Sequence, residues 1–341
     1  MKALVKRYAK PGIWMEEVPM PEVGVNDVLI KVKKAAICGT DLHMYKWDEW
    51  SQTHCTPPYT MGHEFVGVVA EVGDGVRNIK VGDRVTAEGH IVCGQCRNCR
   101  RGFGHVCEHT KSVGISGKDG AFAEYVTIPE SNVVKLRPEI PDDFAAIMDP
   151  FGNATHTALA FPLLGEDVLI TGAGLIGTMA AGICRYAGAK NIVVTDLNPL
   201  RLEIAKKMGA TRTVDGSKGE TVQQAMEELG IHGFDVGLEM SGAPAAFNDM
   251  IAHMYKGSNI AQLGILPSNT QVNWSDVIFN ALTIKGITGR RMWETWYQME
   301  QMLLGGLDLS PVITHRFKFE DFQKGFDVMV SGQCGKVLLE W

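Results

Sequence analysis

Three features of the sequence predict an α/β protein of two domains: its length, a change of texture near residue 150, and a train of strand–turn–helix units beyond that point. At 341 residues the chain exceeds what one hydrophobic core usually serves. Before about residue 145 it carries short β-type runs punctuated by glycine. These predict an irregular, mostly β domain with a barrel-like core. After about residue 150, apolar strands alternate with helices. That order predicts crossover units and a doubly wound parallel sheet with helices on both faces.

In the first domain the clearest strands are Val28–Val32, Phe65–Val69 and Phe122–Val126, with Val72-Gly73-Asp74-Gly75 as turn punctuation. In the second, strands are expected at 168–171, 192–196, 211–214, 235–240, 259–263 and 284–288. The intervening helices are expected through Ala187 and at 201–208, 221–229 and 244–254. An amphipathic helix near 295–304 follows, and a strand at 335–340 ends the chain. Six strands already complete a sheet, so the last one is expected back in the first domain. No internal repeat or low-complexity segment interrupts this order.

Composition narrows the function classes. Apolar residues make up 45% and charged residues 21%, the balance of an ordinary globular protein. No apolar run approaches the roughly 20 residues that span a bilayer. Charge and Pro11-Gly12 interrupt the N-terminus where a secretory signal would be apolar, so a cytoplasmic location is expected. The net charge of -6 argues against nucleic-acid and membrane partners, which require clustered positive charge.

Gly172-Ala173-Gly174-Leu175-Ile176-Gly177 reads G-x-G-x-x-G between a strand and a helix. In that context the motif cradles a dinucleotide. Gly172 makes the tight turn, Gly174 lets backbone amides approach the pyrophosphate, and Gly177 allows the helix to pack on the strand. The helix N-terminus offers free N–H groups to the phosphates. Asp196 ends the next strand, 22 residues after Gly174. An acid there accepts from the ribose hydroxyls and repels a 2′-phosphate, favouring NAD over NADP. Arg201, nearby, could stack on adenine or accommodate NADP.

Four of the eight cysteines, Cys93, Cys96, Cys99 and Cys107, form C-x2-C-x2-C-x7-C. Two-residue spacings let successive thiolates converge on one tetrahedral zinc, and a closed four-sulfur shell makes that zinc structural. An iron–sulfur cluster is the alternative for four thiols. Upstream, Cys38, His63 and Glu64 offer a thiolate, an imidazole and a carboxylate, enough for a zinc site open at its fourth position. Alone, Cys38 could be a small buried hydrophobe and His63 a satisfied core histidine. Their company, a dinucleotide fold and a four-cysteine lobe, favours the metal.

Gly62-His63-Glu64, Cys38-Gly39-Thr40-Asp41, the four-cysteine run and the later G-x-G-x-x-G together resemble the zinc-containing medium-chain dehydrogenases/reductases, across essentially the whole chain. The resemblance implies a GroES-like catalytic domain at 1–148 with its zinc lobe at about 90–110. It implies a Rossmann domain at 149–292 and a segment at 293–341 that returns to the catalytic domain. Longer strings are similar to one branch, which oxidises L-threonine at C3: Cys38 through Trp50, Met148 through Asn153, Gly237 through Pro244, Glu294-Thr295-Trp296-Tyr297, and the tail from Ile313 to Phe326. The implied reaction is zinc-dependent oxidation of threonine by NAD+ to 2-amino-3-oxobutanoate, a step of threonine catabolism.

By the same resemblance Cys38, His63 and Glu64 surround catalytic zinc, Thr40 and His43 relay a proton, and Asp149 is a further acid beside the metal. Either Glu64 or Asp149 could leave the metal during turnover. Cofactor contacts are implied at Ile176, Asp196, Arg201, Leu263, Gly264, Ile265, Ile287 and Thr288. Two zinc ions per subunit, NAD and a homotetramer are expected. Arg290, Arg291, Asp48 and Glu49 are candidates by charge for the substrate's carboxylate and ammonium, or are surface and subunit-contact residues. Rival readings are a polyol or 2,3-butanediol dehydrogenase sharing the apparatus, a non-catalytic zinc adaptor with one metal and no nucleotide, and a quinone reductase, which would lack both zinc sites.

Overall fold

A computed structural model describes residues 1–341 and divides them into two compact units, Met1–Asp149 with Ile313–Trp341, and Pro150–Val312. In the first unit a seven-stranded sheet is built around a long strand, β1 (Asp27–Ile37), paired antiparallel with β2 (Glu64–Val72). The sheet continues through β3 (Arg84–Ala87) to an outer strand, Val133–Lys135, while β4 (Tyr125–Pro129) pairs antiparallel with Asp27–Lys31 of β1. Val28, Ile30, Val32, Phe65, Val69, Val85 and Phe122 share one core. Each fully buried side chain of this size contributes about 1.5–3 kcal/mol.

The expected strand at 122–126 starts later, at Tyr125. Phe122 and Ala123 are instead tied across to the N-terminal strand, through Leu4 N–H to Phe122 C=O and an Ala3–Ala123 bridge. Two chain-terminal strands complete the sheet. Lys336–Glu340 lies antiparallel to β1 and parallel to Ile313–Lys318.

The second unit holds six parallel strands: β5 (Asp167–Thr171), β6 (Asn191–Asp196), β7 (Arg212–Asp215), β8 (Phe234–Glu239), β9 (Met254–Gln262) and β10 (Thr283–Gly286). Their spatial order is β7-β6-β5-β8-β9-β10. It reverses direction between β5 and β8, the switch point at which such sheets bind ligands. Every residue of β5 is buried, as expected for a central strand covered on both faces.

One boundary differs from expectation. The helix Glu294–Leu304 belongs to the second unit, and the chain leaves that unit at Val312, not near 292. Met299 and Met302 are buried, and Leu307 and Tyr186 sit beside Gly182 and Gly305 within the same unit. The helix and the turn after it are therefore part of the parallel-sheet unit.

Candidate active site

The four-cysteine lobe is a turning loop with a short helix, Arg97–Arg100, and a 3-10 turn, Gly104–Val106, just before Cys107. Its four sulfurs lie within 4.8 Å of one another, with Cys107 to Cys93 at 3.5 Å and Cys96 to Cys107 at 3.9 Å. Those separations are far too long for disulfides. They match the edge of about 3.8 Å expected for sulfurs placed tetrahedrally about 2.3 Å from one ion. Backbone N–H groups of Cys93 and His109 donate to the Cys107 sulfur at 3.4 and 3.3 Å. Desolvation opposes charge on Cys107, yet these N–H groups outweigh it and bring its pKa down to about 6. Cys99 is pushed up to about 12 by desolvation and by the neighbouring sulfurs. Sulfurs this close to one another surround a single metal ion and leave no room among them for a multi-atom cluster.

The second donor set is buried in the first unit. Cys38 ends β1 and caps α1 (Gly39–Lys46), while His63 and Glu64 open β2. Ligand atoms of the three lie within 4.8 Å of one another. The turn into His63 needs Gly62, whose φ is +91° and whose side, if it carried a Cβ, would meet the Phe122 backbone nitrogen at 2.7 Å. Asp41, fully buried, accepts the Cys38 N–H at 2.9 Å and stands 3.7 Å from His63 Nδ1. Burial opposes charge on His63, but Asp41 and Cys38 outweigh it and raise its pKa to about 10. A pocket that stabilises a positive imidazolium so strongly is suited to a cation. Glu64 Oε1 is buried with no hydrogen-bond partner, an unspent ligand lone pair.

Lys336 enters this pocket from the C-terminal strand. Its Nζ lies 2.5 Å from Glu64 Oε2 and donates to Ile37 C=O at 3.0 Å. Burial would lower its pKa, but Glu64 and Cys38 more than compensate and raise it. Asp149, at the start of a helix Met148–Ala158, adds negative charge felt by Asp41, His63 and Glu64. Thr40 sits one residue past Gly39 on α1, its hydroxyl 3.7 Å from Cys38 Sγ. His43 follows on the same helix, more than half exposed. Reading the sequence alone missed Lys336. The only trace was one lysine opening a strand whose next three residues are apolar.

In the second unit the G-x-G-x-x-G turn joins β5 to a helix, Leu175–Tyr186. Gly177 packs so closely that an added Cβ would lie 1.9 Å from Gly172 C=O. Gly174 caps the helix without a side-chain partner for its N–H groups, leaving them for an anion. Asp196 accepts from Ala173 N–H at 2.7 Å with one oxygen, and from Leu197 and Asn198 N–H with the other. It therefore also braces the glycine turn. Gly172, Gly174, Asp196 and Arg201 line one cleft of about 710 Å³. Ile176 is half-buried on the first helical turn. Leu263, Gly264 and Ile265 follow β9, with Leu263 and Gly264 N–H both bound to Glu239 C=O at 3.0 Å. Ile265 is 92% exposed. Ile287 is buried and Thr288 exposed, just beyond β10.

Glu239 was not singled out from sequence. Its buried carboxylate accepts from Ser241 N–H at 2.9 Å, Gly242 N–H at 3.0 Å and Gln262 Nε2 at 2.7 Å. It thus ties together the loops that follow β8 and β9. Of the charged candidates for substrate, Asp48 is engaged by His43 and Ser51, and Arg291 pairs with Glu294 at the surface. Arg290 is buried over the Trp296 ring.

Comparison with known proteins agrees with this geometry. Residues 24–139 match the alcohol dehydrogenase GroES-like domain, and residues 176–305 match the zinc-binding dehydrogenase family. An L-threonine 3-dehydrogenase of Alteromonas mediterranea is 60% identical over 342 aligned positions, covering all of both chains. An alcohol dehydrogenase of Escherichia coli CFT073, solved with NADH, superposes with a TM-score of 0.90 at 27% identity, covering 100% of this chain and 99% of that one. The 2R,3R-butanediol dehydrogenase of Bacillus subtilis does so with a TM-score of 0.89 at 28% identity and the same coverage. The chain belongs to the zinc-containing medium-chain dehydrogenase/reductase family, in its L-threonine 3-dehydrogenase branch.

Proposed function

We propose that the protein oxidises L-threonine at C3 with NAD+, yielding L-2-amino-3-oxobutanoate, NADH and a proton. The observation that carries this reading is end-to-end identity of 60% with a threonine dehydrogenase in a chain whose Cys38, His63 and Glu64 converge within 4.8 Å. Cys38, His63 and Glu64 would hold a zinc ion, with Asp149 as an additional acid beside it. Bound there, zinc would polarise the substrate hydroxyl, and NAD+ would accept the hydride. Thr40 accepts the hydroxyl proton as it passes its own to His43, and His43 releases a proton to water. A histidine suits this exchange because an ordinary imidazole titrates near neutrality. Lys336 and Asp41 hold Glu64, Cys38 and His63 in place.

The four-cysteine lobe would hold a second, structural zinc. Gly172, Gly174, Ile176 and Gly177 would receive the pyrophosphate, Asp196 and Arg201 the adenosine end, and Leu263, Gly264, Ile265, Ile287 and Thr288 the nicotinamide half. Asp196 favours NAD over NADP by charge. The working form is a cytoplasmic homotetramer. Support for self-association comes from β10, an edge strand bonded to β9 alone, beside a helix, Trp274–Phe279, that exposes Trp274, Ile278 and Phe279. Open edges and exposed apolar side chains of this kind are ordinarily covered. No helix is long and apolar enough to cross a membrane.

The test is the initial rate of NADH formation with L-threonine, measured beside sorbitol and 2,3-butanediol and repeated after zinc chelation. Threonine should be strongly preferred, and the rate should be lost with the metal. Equal or faster turnover of a diol or polyol would move the protein to the butanediol or polyol branch.

A further inference from the structure

We propose that Asp48 is the positioning residue of the proton relay, fixing the tautomer and orientation of His43. This rests on the reading of Thr40 and His43 as that relay. α1 ends at Trp47, whose backbone is left-handed (φ 56°, ψ 47°), with the Lys6 ammonium 4.9 Å from its ring centroid. The reversal brings the chain back onto the last turn of the helix. Trp47 N–H donates to His43 C=O at 2.9 Å, and Asp48 arrives beside the His43 ring.

The two oxygens of Asp48 have separate tasks. Oδ1 caps the next helix, Glu49–His54, accepting from Ser51 N–H and Ser51 Oγ at 3.1 Å each. Ser51 is fully buried, so this end of the carboxylate is anchored. Oδ2 is bonded to His43 Nδ1. The hydrogen bond to His43, followed by that from Ser51, holds the Asp48 carboxyl below the usual range. An ionised carboxylate only accepts, so Nδ1 must carry the hydrogen and Nε2 the lone pair. The Trp50 ring, 5.9 Å from His43 and stacked on His54 at 4.8 Å, flanks the imidazole.

Thr40 and His43 are three residues apart on α1, which places them on one face. As Thr40 takes the substrate proton, a proton given up by its hydroxyl reaches Nε2 by way of the nicotinamide ribose. The imidazole becomes an imidazolium facing the negative charge of Asp48, and the Nε2 proton then leaves to water. The neutral imidazole is restored without change at Asp48. The logic is that of the aspartate in a Ser-His-Asp triad, which holds the imidazole in one tautomer and never takes its proton.

The holoenzyme should be compared as wild type, His43→Ala, Asp48→Ser and Asp48→Glu. Serine keeps the helix cap and removes the anion beside His43. Asp48→Ser should lower kcat on the order of 10- to 100-fold, with zinc content and NAD affinity within about twofold. Asp48→Glu should recover part of the loss. In 15N-histidine spectra, wild-type His43 should be protonated at Nδ1 and bare at Nε2, and Asp48→Ser should give a mixture of tautomers. His43→Ala should be slow and partly rescued by added imidazole. Normal turnover in His43→Ala would remove the relay itself. A slow His43→Ala beside an unimpaired Asp48→Ser, or an impaired Asp48→Ser with the His43 tautomer unchanged, would overturn the role of Asp48.

Discussion

Two thiol-bearing centres lie in the same structural unit, and they are built on opposite principles. The lobe at Cys93–Cys107 takes all four donors from 15 consecutive residues at the surface, and its geometry is enforced locally by N–H to sulfur bonds. The centre at Cys38, His63 and Glu64 takes three donors from two strand ends; Asp41 holds Cys38 from the adjoining α1, and Lys336 reaches Glu64 from the distant last strand. A closed, self-contained shell suits a structural ion. A mixed, buried, incomplete shell suits one that must accept an exchangeable ligand.

The sharpest way to break this comparison is to remove one ligand from each centre. Cys38→Ser should lower kcat/KM on the order of a thousandfold or more and reduce zinc from two to one per subunit, with the lobe intact. Two zinc ions and near-normal rates in that variant would show that the buried set is not the reaction centre.

A second effect separates the centres by energy. Lys336→Met would leave the Glu64 carboxylate buried, under the negative charge of Asp149, without its lysine partner. Breaking a buried pair from one side costs about 3–5 kcal/mol, readable as a lowered urea midpoint. Adding Glu64→Gln should restore much of that stability without restoring activity. A Lys336→Met variant as stable as wild type would mean that the pair contributes nothing to holding the pocket.

The smallest effect on chemistry is expected at the lobe. Cys107→Ser should release one zinc and lower the thermal midpoint by several degrees, because folding of the loop is coupled to its metal. The remaining folded enzyme should keep turnover within about tenfold. A loss as large as that of Cys38→Ser would join the two centres into one functional unit.

How much could be read beforehand differed between these regions for a physical reason. C-x2-C-x2-C-x7-C is a local pattern, because ligands a turn apart must converge whatever surrounds them. The glycine turn at 172–177 was equally legible, since a strand, a tight turn and a helix N-terminus are consecutive in the chain. Cys38 and His63, by contrast, gained meaning only from their company, a dinucleotide fold and a four-cysteine lobe elsewhere in the chain. Lys336 escaped altogether, because a buried charge is defined by its partner, and Glu64 lies hundreds of residues away; Glu239 escaped because its burial and its bond to Gln262 appear only when neighbouring strands pack. Asp48 was legible as an acid near the site but was offered to the substrate's ammonium. Its position at the end of a left-handed turn assigns it to His43 instead.

By itself, the sequence determined the α/β class, the strand–helix alternation after residue 150, the four-thiol lobe and the nucleotide-binding turn, because each rests on hydrophobic period or on ligands near one another in the chain. Tertiary structure alone decided that the chain leaves the parallel-sheet unit at Val312 and that Lys336 closes the pocket around Glu64. Those outcomes depend on strand order and on the desolvation of paired charges, and both are set only when distant segments pack together.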